Sequence, residues 1–162
     1  MTRRELVQGI ACASAAALIG ATSSEVHHTN AEWLRILGPD RYHILRENGT
    51  EAPGSSPLLA EHRVGTYQCA GCNLPLFSSK TKYDSGEGWP SFYRPLPNAI
   101  ATRADFELIE ERTEVHCSRC AGHLGHLFND GPPPTGLRYC IDGLALVFVP
   151  SGIARTTSLF AT

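Results

Sequence analysis

The sequence predicts a mainly β domain, and three observations carry that expectation. Fifteen glycines and eleven prolines are distributed over 162 residues, enough turn formers to divide the chain into many short elements. Helical apolar periodicity is confined to one region, residues 29–48. Beyond it lie short runs rich in β-branched and aromatic residues, each bounded by turn residues. With 42% hydrophobic residues there is material for one modest core, so residues 24–162 are expected to form a single domain.

Residues 1–23 have the composition of an export signal. Arg3 and Arg4 precede Leu6, and Ile10 to Ala21 is an uncharged, alanine-rich run. That run falls short of the roughly 20 residues needed to cross a bilayer, so a cleaved signal is expected and no stable membrane anchor. The paired arginines fit the Tat pattern, which points to a periplasmic location. A cytosolic amphipathic helix is the alternative, disfavoured by the absence of charge between Ile10 and Ala21. Cys12 does not make a lipoprotein box, because Gly9 stands where leucine is expected and the apolar run mostly follows the cysteine.

The helical region has its own punctuation. Thr29 and Glu32 have the spacing of a capping box, and Trp33, Leu34 and Leu37 follow at helical period. Gly38-Pro39 should break this helix, and a second short one should run from Pro39 through Tyr42, Ile44 and Leu45 until Asn48-Gly49 stops it. These short N-terminal helices are expected to cover a sheet. Gly49 to Pro57 then forms a loop. Strands are expected at Val64 to Cys69, Leu74 to Phe77, Phe106 to Cys117, Leu137 to Ile141 and Leu144 to Val149. The glycine-punctuated loop from Asp84 to Phe92 carries Trp89, which either joins the core or walls a small apolar pocket.

Charge excludes one class of function. The formal net charge is −2 and there is no basic run of five or more residues, so the footprint of a nucleic-acid binder is missing. Cysteines point to another class. Cys69/Cys72 and Cys117/Cys120 are two C-x-x-C pairs with 44 residues between them. This is the spacing at which two tight turns close one four-cysteine zinc site, although two disulfides or a redox pair would use the same spacing.

Cys140 stands apart, after Arg138 and Tyr139 and downstream of His123 and His126. A single thiol near imidazoles is a candidate nucleophile, because the thiolate is the attacking form and positive charge stabilises it. Taken singly, each histidine could equally be a satisfied structural residue and the cysteine a small buried hydrophobe.

The motifs nevertheless form one ordered series: GTE at 49–51, CAGC at 69–72, GEGWPSFY at 86–93, CSRCAGHLGHLFNDGP at 117–132 and RYC at 138–140. Together, over roughly residues 30 to 150, they resemble the methionine-R-sulfoxide reductases of the B type. The resemblance implies a zinc-bearing pair of antiparallel sheets, a β-tent, with short N-terminal helices. It implies one structural Zn2+ held by Cys69, Cys72, Cys117 and Cys120. Cys140 would attack the sulfoxide sulfur of the R epimer, in peptides and possibly in free methionine, leaving a sulfenic acid for a thioredoxin-like or small-thiol reductant.

By the same resemblance, Trp89 would hold the substrate methyl group, with Phe128 and Asp142 also at the substrate. His123 and His126 would line the site, hold water and help protonate the oxygen. Asp130 would orient a histidine. A monomer is expected, with oxidised proteins or peptides as partners.

Two positions depart from the family pattern. Glu87 stands where a resolving cysteine is often found, and Asp142-Gly143 replace the usual Asn-Ser. A carboxylate at Asp142 should raise the Cys140 pKa by like-charge repulsion. Alternative functions on the same scaffold are a lyase acting on glutathione adducts, an enzyme with a second metal on His123, His126 and Cys140, or a non-catalytic zinc-stabilised binding module.

Overall fold

A computed structural model describes residues 25–106 and 112–152. The export signal expected over 1–23 lies outside the described residues, as does Cys12.

The first element, α1 (Asn30–Glu47), begins where the sequence places it. The Thr29 side chain accepts from the Glu32 backbone N–H, and the Glu32 carboxylate accepts in return from the Thr29 N–H. This satisfies two backbone donors that the first helical turn would otherwise leave open. The expected break is present, so that α1 comprises two helical segments meeting at a kink. Gly38 leaves the helical region at φ 71° and ψ 168°, Pro39 restarts the turn, and Asn48 ends it in the left-handed conformation. Trp33, Leu37, Ile44 and Leu45 form the buried face.

Nine strands follow among the described residues. They are β1 (Gly65–Cys69), β2 (Pro75–Ser78), β3 (Lys82–Tyr83), β4 (Ser91–Phe92), β5 (Ile100–Asp105), β6 (Arg112–Cys117), β7 (His123–Phe128), β8 (Arg138–Ile141) and β9 (Leu146–Pro150). They make two antiparallel sheets. One has the order β2-β1-β9 and the other β3-β4-β8-β7-β6-β5. The fold is therefore mainly β with a helical cover, as the sequence predicts.

The two sheets are joined by aromatic rings. Phe92 of β4 stacks on Phe77 of β2 with centroids 4.3 Å apart, and meets Tyr67 of β1 edge-on at 5.0 Å. All three are fully buried. Rings of this size each remove about 150–250 Å2 from water and lock their mutual orientation, so β4 is pinned beside β8 and Cys140.

Several strand expectations are corrected. The strand expected from Phe106 begins at Arg112; Phe106 is 72% exposed and outside any strand, and residues 107–111 lie outside the described residues. Its partner β5 is an addition to the expected strands, because IATRAD holds only one large apolar residue and shows no clear apolar alternation. Leu144 belongs to a short 3-10 turn (Gly143–Ala145), and β9 starts only at Leu146. The strands β3, β4 and β7 are further additions, the first two being only two residues long.

Candidate active site and metal centre

The metal centre is built from two copies of one local device. In the first, the Asn73 N–H donates to the Cys69 carbonyl at 2.8 Å; in the second, the Ala121 N–H donates to the Cys117 carbonyl at 2.9 Å. Asn73 and Ala121 each take a positive φ, 58° and 54°. Each turn follows a strand, β1 or β6, and directs two sulfurs inward. The four sulfurs lie within 4.8 Å of one another, with Cys69 to Cys120 at 3.6 Å and Cys72 to Cys117 at 3.5 Å. A tetrahedral ion with Zn–S bonds of about 2.3 Å spaces its sulfurs about 3.8 Å apart, so this donor set fits zinc with little movement. Arg46 closes one side: its Nη2 donates to the Cys120 carbonyl at 2.8 Å and lies 3.6 Å from its sulfur, while its guanidinium sits 4.4 Å from the Trp33 ring centroid.

Cys140, by contrast, lies within the larger sheet. It pairs directly with His126 of β7 and Ser91 of β4. Directly opposed residues share a face with Cβ atoms about 5 Å apart, so the thiol and the imidazole are held together by sheet register. Gly125 makes that register possible. It has φ 144°, and a Cβ there would fall on the Cys140 carbonyl. A register shift between Val115 and His116 of β6 further breaks the alternation. His123 and His126, three residues apart, consequently bring their rings to 5.4 Å.

A cavity of about 130 Å3 lies over the thiol, lined by Cys140, Trp89, Phe128, His126, Asp142, Thr50, Arg112 and Gly125. His123 is not in this lining. It borders an adjoining cavity with Glu114, Arg103 and Asp105, which shares Thr50, Arg112 and His126 with the first. Each histidine has a carboxylate partner: His123 Nδ1 with Glu114 Oε1 at 2.8 Å, and His126 Nε2 with Asp105 Oδ2 at 2.8 Å. Glu114 is also paired with Arg103, and Asp105 with Arg112.

The expectation that Asp130 orients a histidine is corrected by this geometry. Asp130 forms a two-pronged pair with Arg138, 2.8 Å on each prong, and the Arg138 guanidinium lies 4.2 Å from the Phe128 ring centroid. Asp130 thus supports the Phe128 wall from behind.

Glu51 belongs to the GTE motif, yet motif reading gives it no role. It is buried, and two segments, the Trp89 loop and residues 142–144, converge on it. Its carbonyl accepts from Trp89 Nε1 at 3.1 Å, and its N–H donates to Asp142 Oδ1 at 3.0 Å. Its carboxylate accepts from the Gly143 and Leu144 N–H groups at 2.6 and 3.0 Å. The Trp89 loop can reach it because Gly88 adopts φ 92° against Pro53 and Gly54, where a side chain would collide. Sequence reasoning misses Glu51, Glu114, Asp105 and Arg112 as contributors. The available signal is the GTE motif for the first and a glutamate between Thr113 and Val115 for the second.

Electrostatics follow from burial. Burial pushes the Cys140 thiol above its ordinary value; Arg138 opposes this, while Asp142 and Glu87 add to it. The sequence-based expectation for Asp142 therefore names a contributing cause, with burial the larger one. Asp142 itself is 3% exposed, and burial pushes its carboxyl up to about 7, against the Glu51 N–H bond that favours its ionised form. Burial lowers His126, with the Asp105 hydrogen bond opposing. Glu114 ends below its ordinary value: burial alone would raise it, and hydrogen bonds from His123 and Arg103 outweigh that effect.

Comparison with known proteins adds an independent finding. The SelR domain family matches residues 37–150. The peptide methionine sulfoxide reductase MsrB of Agrobacterium fabrum is 51% identical over 130 residues, covering 80% of this chain and 96% of that protein. The MsrB of Leptospira interrogans is 50% identical over 125 residues, 76% of this chain and 95% of its own. That of Methanosarcina barkeri is 48% identical over 124 residues, 76% and 87%. Among solved structures, the Mis18 "Yippee-like" domain overlaps at a TM-score of 0.46 with 16% identity, over 56% of this chain and 99% of that one, too loosely to bear on fold or chemistry. With a SelR match over more than half its length and relatives near 50% identity over most of theirs, this chain belongs to the MsrB family of peptide methionine sulfoxide reductases.

Proposed function

We propose that this protein reduces the R epimer of methionine sulfoxide in oxidised proteins and peptides, using Cys140 as nucleophile and an external thiol for regeneration. The observation that carries the reading is the pairing of Cys140 with His126 in the lining of a small cavity walled by Trp89 and Phe128. Two aromatic faces suit an S-methyl group, and a fixed thiol on one side with polar groups on the other gives the three-point contact that distinguishes sulfoxide epimers. Attack leaves the oxygen on Cys140 as a sulfenic acid. His123 and His126, each held by a carboxylate, keep water near that oxygen.

The regeneration route follows from where the sulfurs are. Among the described residues, the other four cysteines are all in the metal-capable cluster, and Glu87 occupies the position of a resolving cysteine. An external thiol, from a thioredoxin-like protein or a small thiol, therefore attacks the sulfenic acid directly. Zinc in the four-cysteine cluster supplies a structural crosslink between the ends of β1 and β6 when bound. The family name of the relatives and the small cavity walled by Trp89 and Phe128 favour this reading over a lyase or a binding module. Against a second metal site, His123, His126 and Cys140 are not among the ligand-bearing groups that converge in the described residues.

Separate R and S epimers, supplied with a thiol reductant, test the function: methionine should form from R alone. Intact mass after one equivalent of sulfoxide without reductant tests the route. A gain of one oxygen on Cys140 is expected, whereas loss of two hydrogens with a Cys140 disulfide would sink it. Export through residues 1–23 is part of the same proposal, and periplasmic recovery of a shortened chain, abolished by Arg3→Lys with Arg4→Lys, is its check.

A further inference from the structure

The cavity over Cys140 needs a proton source, and the histidines are poorly arranged to be it. Asp105 and Glu114 are carboxylates that can only accept, so His126 Nε2 and His123 Nδ1 carry the protons of their 2.8 Å bonds. In a neutral ring the opposite nitrogen is then bare. It can accept a proton or hold water, but has none to give. His123 is 2% exposed, and its Nε2 is buried with no protein hydrogen-bond partner among the described residues.

Asp142 is placed differently. It lines the cavity with Cys140, Trp89 and His126. One carboxyl oxygen, Oδ1, is committed to the Glu51 N–H at 3.0 Å. The other, Oδ2, is 4.0 Å from the bare His123 Nε2. The charged and titratable groups around it are the Glu51 carboxylate, His123 and His126 of β7, Cys140 of β8 and Arg112 of β6. Arg112 is engaged with Asp105 at 2.7 Å. Burial, and to a lesser degree the nearby Glu51 carboxylate, favour a neutral, proton-bearing Asp142, against the Glu51 N–H bond that favours the ionised form.

We propose that Asp142 is a catalytic acid that protonates the sulfoxide oxygen as Cys140 attacks. The inference rests on the methionine sulfoxide reading above. The Cys140 thiolate gives an electron pair to the sulfoxide sulfur, the S–O bond breaks, and the oxygen passes to the cysteine sulfur carrying the Asp142 proton. One thiolate, one sulfoxide and one carboxylic acid thus become one sulfenic acid, one thioether and one carboxylate. The substrate sulfur is reduced by two electrons and the cysteine sulfur is oxidised by two. Solvent returns the proton to the carboxylate before the next cycle.

This assignment makes a crossing pH profile. In acid the carboxyl is protonated and adds no charge beside Cys140, so Asp142→Asn there removes only the acid. In alkali the carboxylate is ionised and opposes thiolate formation, so the same substitution helps. The test is single-turnover methionine formation by the full chain from a blocked methionine R-sulfoxide, parent against Asp142→Asn. The variant should be about 100-fold slower near about pH 6 and faster than the parent above about pH 8, the two curves crossing near neutrality.

A variant as fast as the parent, or faster, at every pH overturns the proposal. Methionine formation by neither protein at any pH would overturn the sulfoxide reading itself, a distinct outcome. Should the Asp142→Asn variant fail to fold, the carbon-13 resonance of the Asp142 carboxyl in the parent decides. Titration near neutrality is expected, and a carboxylate ionised throughout overturns the assignment.

Discussion

The molecule holds its sulfur in two contrasting settings. Cys69, Cys72, Cys117 and Cys120 sit at strand ends, in two turns closed by the same kind of hydrogen bond, and face one another. Cys140 sits within a strand, and faces an imidazole, a carboxyl group and two aromatic rings. The first arrangement offers four soft donors to one ion. The second isolates one thiol beside a cavity. Sulfur's role is thus decided by what lies within a few ångströms of it, and that in turn by whether local turns or sheet register place it.

The largest effect that would break this contrast is loss of a cluster ligand. Cys72→Ser should release zinc and abolish cooperative melting, because binding free energy on the order of 10 kcal/mol in such sites is folding free energy; a variant that keeps its melt and full activity removes the four-cysteine assignment. Cys140→Ser should do the reverse. Sulfoxide turnover should vanish while zinc content stays at one per chain and stability changes by less than about 1 kcal/mol, as read by assay, metal analysis and melting on one preparation.

A third effect is a stability that depends on pH. Asp142 has its folded pKa raised to about 7 from an ordinary value of 3.8, so its contribution favours folding in acid and is lost as the pH rises through 7. Asp142→Asn should therefore be relatively more stable than the parent at alkaline than at acid pH, by at most roughly 4 kcal/mol. Denaturant melts near pH 5 and pH 8, run side by side, would contradict the sign if the gap between the two proteins stayed constant.

Smaller still is the effect of Arg46→Ala. It removes the hydrogen bond to the Cys120 carbonyl and the stacking on Trp33, costing about 1–2 kcal/mol and speeding zinc transfer to a chromogenic chelator. Unchanged transfer kinetics would make Arg46 a surface bystander. Last, iodoacetamide labelling of Cys140 should move to lower pH in the Asp142→Asn variant, since a negative charge has gone from beside the thiol; an unmoved profile means that Asp142 is neutral across the range tested.

The first setting is more legible in the sequence than the second. Two C-x-x-C turns are local, so their residues, spacing and strand-end positions are all readable, as is the capping box of α1. Cys140 and the histidines are identifiable by motif order, but their partners are not. Pairing of His126 with Cys140, and of His123 with Glu114, depends on the register of β6, β7 and β8, which Gly125 and the irregularity at Val115/His116 set three-dimensionally. The strand β7 itself is hidden because HLGHLF carries a glycine and two histidines in place of a clean apolar alternation. Likewise β5 is a largely exposed edge with no apolar alternation to betray it. Glu51 stands at the start of a loop of glycine, proline and serine, where a buried acid is unexpected.

Glu51 also bears on timing. It joins residues 89, 142, 143 and 144, which lie 38 to 93 positions along the chain, and such distant closures are among the slower steps of chain assembly. Until they are made, Trp89 has no anchor, Asp142 has no donor and Cys140 lies in an unfinished groove. A newly made chain therefore has no assembled cavity over Cys140 until the last segments dock. Methionine sulfoxide reduction would then be a clock for maturation, starting later than helix formation and readable in a refolding experiment.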